Sequence, residues 1–231
     1  MIPTQLRFFG PGLIEAQHGQ PIPIRSRKQL ALLAYLATEY QIAHPRETLL
    51  ALFWPEETMA DAQNNLRVTL SRLRALGGKL VSGGAPLAEL LIVDRHSVQL
   101  HPAWIDRVDV NLFNQRLERT RQHTHTLRSQ CANCQAVLLE AVQLLPANFL
   151  AGLGLDGCPV FEEWLFMQRE RLHLLALEAY RDLALYAEAN NALLAARAFA
   201  QRQLEIDPLR EPAYRQQMRI LAKQGERSLA L

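Results

Sequence analysis

The chain has 231 residues, 49% of them apolar and 21% charged, which is enough to bury one large core or two small ones and excludes a wholly disordered chain. Its net charge of +2 is too small to mark a nucleic-acid binder, but it is unevenly placed. Residues 1–104 hold ten Lys/Arg against eight Asp/Glu, while residues 105–231 hold fifteen of each, so an anionic partner is expected at the first half. The N-terminus MIPTQLRFFG has no cationic segment followed by an apolar run, and no stretch of about 18 apolar residues occurs anywhere. Three cysteines without a secretory leader fit a reducing cytoplasm better than a disulfide framework.

The first 25 residues read as short antiparallel strands. Gln5–Phe9 is broken by Gly10-Pro11-Gly12, Leu13–Gln17 by His18-Gly19-Gln20-Pro21, and Ile22-Pro23-Ile24 suits only an edge. Three helices follow. Ser26 caps the first, which runs to about Tyr40 with Leu30, Leu33, Ala34 and Ala37 on one face. Pro45 opens a second, over Pro45–Phe53, with Glu47 near the positive end of its dipole, and Pro55 stops it. Thr58 caps the third, with Asp61 in its first turn and Gly77-Gly78 as its end. Strand signals then return at Lys79–Val81 and Glu89–Val93, around a Ser82-Gly83-Gly84 loop. Asp94-Arg95-His96-Ser97 is a hairpin tip before Val98-Gln99-Leu100. Strands, three helices and a closing hairpin are the order of a winged helix-turn-helix. From about Val108 the pattern becomes helical, with helices expected at about 109–126, 131–145, 160–188, 191–205 and 209–223, punctuated by Pro146, Pro159 and Pro208. Helices of this length with a proline at the boundary suggest a tetratricopeptide-like solenoid. The expected fold is thus an α+β winged helix-turn-helix over 1–104 and an all-α tetratricopeptide-like domain over 105–231. The final Gly225–Leu231 reads as the start of a further helix, as in a fragment of a longer protein.

The third helix carries the functional reading. Leu66, Leu70 and Leu73 form one stripe when residues are placed about 100° apart. Asn64, Val68, Ser71 and Arg72 point broadly the other way, with Asn65, Arg67 and Thr69 on the flanks and no acidic side chain among them. Short polar side chains plus arginine can enter a major groove. Arg72 can fork onto a guanine edge, Asn64 or Asn65 can pair with an adenine edge, and Val68 can meet a thymine methyl, with Ser71 beside them. Arg67, Thr69 and Arg74 are candidates for phosphates, as are Arg27 and Lys28 in the first turn of the first helix; Arg95 and His96 at the hairpin tip could reach the backbone or the minor groove. A polar face with a few arginines is ordinarily only solvated surface. The winged-helix order around it is what turns it into a docking element.

These segments resemble a known family. Arg25-Ser26-Arg27-Lys28-Gln29-Leu30-Ala31-Leu32-Leu33-Ala34 resembles the first helix of regulators carrying a bacterial transcriptional activator domain, the class that includes the antibiotic regulatory proteins. Leu49–Pro55, Ala62–Arg74, Phe161–Leu165 with Arg169–Leu172, and Asp207–Arg215 are similar to the same family, so that the resemblance covers nearly the whole chain. It implies an OmpR-type winged helix that activates transcription from direct repeats, a helical domain for protein contacts, and further C-terminal domains in many relatives. OmpR-type recognition helices often carry more basic residues where Thr69 and Ser71 stand here.

One other cluster has chemistry. His123-Thr124-His125 followed by Cys131-Ala132-Asn133-Cys134 supplies two His and two Cys, the donor set of a tetrahedral structural zinc site. That reading requires the histidines off a regular helix, since residues i and i+2 point apart there; otherwise the segment is a polar loop with two thiols. Glu162-Glu163 and Asp156 suit a helix start, and Trp164, Phe166 and Leu172–Leu177 suit a core. No Walker-type loop, Gly-x-Ser-x-Gly or His-Glu-x-x-His motif occurs, so an enzyme is not expected. The expected function is a cytoplasmic, sequence-specific DNA-binding transcriptional activator. Its expected partners are double-stranded DNA, the transcription machinery and a second copy of itself, with no membrane. The competing reading is a protein-interaction scaffold whose winged helix does not bind DNA.

Overall fold

The computed structural model describes residues 6–16, 20–24, 26–77, 89–124 and 130–226. The expected strand at Lys79–Val81, the Ser82-Gly83-Gly84 loop, Gly78 and His125 lie outside them. The chain divides into two compact units, one of residues 1–112 and 146–169, the other of residues 113–145 and 170–231. The family of folds is the expected one: small antiparallel sheets with a winged helix-turn-helix, followed by a helical domain.

The first unit opens on a sheet of β1 (Leu6–Arg7), β2 (Leu13–Glu15) and β3 (Pro21–Ile22), antiparallel in that order. The ladder pairs Leu6 with Ile14 and Ile14 with Ile22, so one apolar row faces inward. Gly12 has φ +85°, a conformation that L side chains rarely adopt, so the backbone there demands glycine. Helix α1 (Arg27–Thr38) starts at the Ser26 cap, whose hydroxyl accepts from the Gln29 amide at 3.5 Å. Its buried face is wider than the expected stripe. Ala31, Leu32, Leu33, Ala34, Leu36 and Ala37 are all buried, because neighbours cover the helix on more than one side, while Leu30 is only half-buried.

Helix α2 (Arg46–Phe53) buries Leu49, Leu50, Leu52 and Phe53. It follows a strand that the sequence did not announce, β4 (His44–Pro45). This pairs with β6 (Ser97–Leu100), which pairs in turn with β5 (Leu91–Val93). The three-stranded antiparallel sheet ties the entry to α2 to the closing hairpin. A six-residue 3-10 helix, Pro102–Arg107, capped by the His101 ring on the Ala103 amide at 3.2 Å, leads out of the hairpin.

Residues 146–169 complete this unit. Leu150 N donates to Phe8 O at 2.7 Å, Gly10 N to Asn148 O at 2.9 Å and Ala151 N to Gly10 O at 2.7 Å. Leu150 sits at φ +46°, a conformation that disfavours a branched side chain. It is held there by the Phe8 carbonyl and by Arg169, whose guanidinium bonds the carbonyls of Phe149, Leu150 and Leu153. The beginning of α6 (Pro159–Ala189) packs Phe161 against Phe53 with centroids 5.1 Å apart. Trp164 meets Tyr35 edge-on, with centroids 5.0 Å apart, while its Nε1 donates to Glu39 Oε1 at 2.8 Å. Phe166 is not core, contrary to expectation: it is 60% exposed. It follows Leu165, which is fully buried, and one residue along a helix turns the side chain by about 100°.

The second unit is helical: the remainder of α4 (Asp109–Gln122), α5 (Ala132–Val142), the later turns of α6, α7 (Leu193–Ile206) and α8 (Glu211–Lys223). Ala187, Ala196, Ala200 and Ile220 form a buried cluster in this unit, with Leu193 and Phe199 packed against it. Gln203 donates to Gln216 inside that packing at 3.1 Å. Glu188, itself largely buried, accepts both Arg219 nitrogens at 2.7 and 2.9 Å and Lys223 Nζ at 2.8 Å. The Arg219 hydrogen bonds hold its carboxyl below the usual range. Asp207-Pro208 separates α7 from α8, with Asp207 Oδ1 accepting from the Leu209 amide at 3.0 Å. Asn191, at φ +57°, makes the turn expected between α6 and α7.

Candidate nucleic-acid interface

Helix α3 (Met59–Gly77) is built as a two-sided element. Thr58 caps it: its Oγ1 accepts from the Asp61 amide at 3.3 Å and donates to Asp61 Oδ2 at 2.6 Å, and Asp61 itself lies at the positive end of the dipole. Ala62, Leu66, Leu70, Leu73 and Leu76 are buried at three- and four-residue spacing. Burying one such leucine is worth roughly 1.5–3 kcal/mol, and four of them, with Ala62, fix the rotation of the helix about its axis. That rotation leaves Asn64, Arg67, Ser71 and Arg72 exposed, with Val68 and Asn65 half-buried between them. Arg67, Val68, Ser71 and Arg72 line a shallow hollow of about 280 Å³.

The side chains on this face are partly occupied with one another. Arg67 Nη2 donates to Asn64 Oδ1 at 3.0 Å. Asn65 Nδ2 donates to Glu57 Oε2, and Glu57 also stands 3.9 Å from Lys28 Nζ, which lies over the Trp54 ring at 5.6 Å. The face begins at an acid of the helix itself, the exposed Asp61, four residues before Asn65 and seven before Val68, and Glu57, from the loop before the helix, brings a second to its edge. Thr69 Oγ1 donates to the Asn65 carbonyl at 2.8 Å, so its one hydroxyl hydrogen is directed into the helix. Arg74 is 3.8 Å from Glu89 and half-exposed. Arg27, in the first turn of α1, is exposed.

The wing tip is a tight turn shaped by Asp94. Its carboxylate accepts from the Ser97 hydroxyl at 2.7 Å and from the His96 and Ser97 amides at 2.6 and 2.7 Å. These donors, the Ser97 hydroxyl first, pull the Asp94 carboxyl down to about 2. Arg46, at the start of α2, anchors the turn through its amide on the His96 carbonyl at 2.9 Å and its Nε on the Asp94 carbonyl at 3.2 Å. Arg95 and His96 stand exposed at the tip.

In the second unit, α4 ends at Gln122 rather than near 126, and this leaves His123 just past the helix. Cys131 is the N-cap of α5, and Cys134 lies in its first turn. His123, Cys131 and Cys134 offer donor atoms that all lie within 4.8 Å of one another, and they form the one such cluster among the described residues. No described helix is long and apolar enough to cross a membrane.

A strand-bordered trio of helices closed by a hairpin, and paired antiparallel helices after it, define a winged helix-turn-helix protein with a tetratricopeptide-like second domain. The bacterial transcriptional activator domain family matches residues 108–231. The chain belongs to that family of transcription regulators, the class that includes the antibiotic regulatory proteins. Among solved structures the fold is similar to Mycobacterium tuberculosis EmbR, determined in complex with a low-affinity phosphopeptide, with a TM-score of 0.70 at 19% identity. The likeness covers 98% of this chain and 57% of that one, so the chain spans little more than half the length of its structural relative. No curated protein matches it.

Proposed function

We propose that this chain is a sequence-specific, double-stranded-DNA-binding transcriptional activator of the cytoplasm that seats α3 in the major groove. The observation that carries this reading is the exposed polar face of α3. Asn64, Arg67, Ser71 and Arg72 surround the half-buried Val68, opposite a leucine stripe that locks the helix in one rotation. Arg72 forks onto a guanine edge, Asn64 and Asn65 address adenine edges, Val68 meets a thymine methyl, and Ser71 supports them. Arg67, Thr69, Arg74, Arg27 and Lys28 hold phosphates, and Arg95 and His96 on the wing reach the backbone alongside. Residues 1–104 form the DNA-binding domain in this reading, and residues 105–231 contact protein, either a second copy on a neighbouring repeat or the transcription machinery.

Selection of bound duplexes from a random library tests it. Enrichment of a tandem motif supports a sequence-specific binder that works in pairs. Absence of any enriched sequence, with the protein folded, would overturn it in favour of an interaction scaffold.

A further inference from the structure

The second unit carries a cluster that DNA binding does not use. His123 follows the last turn of α4, and Cys131 and Cys134 sit at the first turn of α5. His123 Nδ1 lies 3.5 Å from Cys131 Sγ and 3.4 Å from Cys134 Sγ. In-plane, one imidazole nitrogen has a single proton or a single lone pair. It can therefore make one good hydrogen bond to a sulfur, not two. Two sulfurs at nearly equal distance from that nitrogen are what a shared central ion produces. With zinc–sulfur bonds of about 2.3 Å and zinc–nitrogen bonds of about 2.0–2.1 Å, tetrahedral angles put sulfur and nitrogen about 3.5 Å apart and the two sulfurs about 3.8 Å apart. The two observed nitrogen–sulfur separations match that geometry, and the donor atoms all lie within 4.8 Å of one another.

We propose that His123, Cys131 and Cys134 bind one Zn²⁺ that clamps the end of α4 to the start of α5. The donor chemistry is matched, since thiolate and imidazole favour Zn²⁺ over oxygen-seeking Mg²⁺ or Ca²⁺, and two thiolates neutralise the ion. Cys134 is buried and His123 exposed, so the site has a fixed wall and an open entry. The mechanical effect is loop closure: the ion joins positions eight and eleven residues apart and stabilises the helix pair as binding free energy.

The test is a metal titration of the full chain, reduced and purified without a polyhistidine tag. One equivalent of Co²⁺ should give thiolate-to-cobalt charge-transfer absorption with tetrahedral d–d bands, and Zn²⁺ should displace it. Cys131→Ser and His123→Ala, both at accessible positions, should keep their helical circular dichroism. Each should lose more affinity than the roughly 10–100-fold that follows loss of an outer-shell partner. Cys158 is unchanged in both variants, so a signal arising from it would survive them. Absence of charge transfer at stoichiometric Co²⁺ would overturn the proposal, as would variants that titrate like the parent.

Discussion

Arg67 donates to the side-chain carbonyl of Asn64 at 3.0 Å, so two residues on the exposed face of α3 restrain each other. An asparagine that reads adenine must offer both its carbonyl and its amide to the base edge. Arg67 therefore has to release Asn64 when the groove is entered, and a phosphate is its natural alternative partner. Arg67→Ala should weaken all duplexes to a similar degree and lower the slope of log affinity against log salt by about 0.9. Arg72, with no such bond to a base-reading neighbour, should behave differently: Arg72→Ala should cost about 1–3 kcal/mol on the selected motif and little on random DNA. Binding isotherms on specific and random duplexes at several salt concentrations separate the two. Equal losses on both sequences for both variants would refute the division.

Glu57 is the acid that holds side chains of this face. It accepts from the Asn65 amide and attracts Lys28, and both partners are assigned to DNA in the proposed function. Exposed pairs such as Lys28–Glu57 are worth at most about 1 kcal/mol to the fold, so Glu57→Gln should leave stability nearly unchanged. Its effect should appear in binding: tighter association at low salt and a slope steeper by about 0.9, as Lys28 becomes free for one more phosphate. Unchanged affinity with an unchanged slope would argue that Lys28 meets no phosphate.

Much of the first unit was legible because it is periodic. The leucine stripe of α3, the Ser26 and Thr58 caps and the stop at Pro55 are signals contained within a few residues, and each sits where the spacing puts it. Two kinds of feature were not legible. β4, at His44–Pro45, and the 3-10 helix at Pro102–Arg107 are too short to carry a period. The contacts of residues 146–169 with Phe8, Gly10, Tyr35, Glu39 and Phe53 join positions more than a hundred residues apart, and no local rule reports them. The same holds for the interface: the residues of the α3 face could be read from spacing, but Asn65's attachment to Glu57 depends on how the preceding loop folds back. The Cys-x-x-Cys spacing was visible, whereas its convergence with His123 depended on α4 ending at Gln122.

The long-range packing has a measurable consequence. Phe161 is fully buried against Phe53 and Trp164, whereas Phe166, five residues on in the same helix, is 60% exposed. Phe161→Ala should cost about 3–5 kcal/mol, through lost burial and the cavity it leaves. Phe166→Ala should stay within about 0.5 kcal/mol. Urea denaturation of the two variants, at equal m-values, makes the comparison. Similar costs for both would mean that the start of α6 is not packed on α2 in solution.

Asp109 couples this unit to pH. Its Oδ1 accepts from the Phe8 and Val110 amides at 2.9 and 2.7 Å, and its Oδ2 from the Phe9 amide at 2.9 Å, which joins the N-terminal strand to the first turn of α4. Burial nonetheless pushes its carboxyl up to about 6, against the pull of those three amides and of Arg7. A folded-state pKa above the unfolded value of about 3.9 means that folding takes up a proton between these limits. The resulting stabilisation is full below about pH 4 and is lost as pH rises through about 6, a change on the order of 3 kcal/mol. Asp109→Asn removes the titration and sets an amide N–H₂ against a backbone N–H, at a pH-independent cost of roughly 1–3 kcal/mol. The stability difference between parent and variant, measured by denaturant unfolding from pH 4 to pH 7, should therefore shrink as pH rises and level off above about 6. Carboxylates shared by both proteins cancel in that difference. A flat difference would mean that Asp109 is ionised throughout, its three amide donors outweighing burial. A difference that grows with pH would reverse the sign of the assignment.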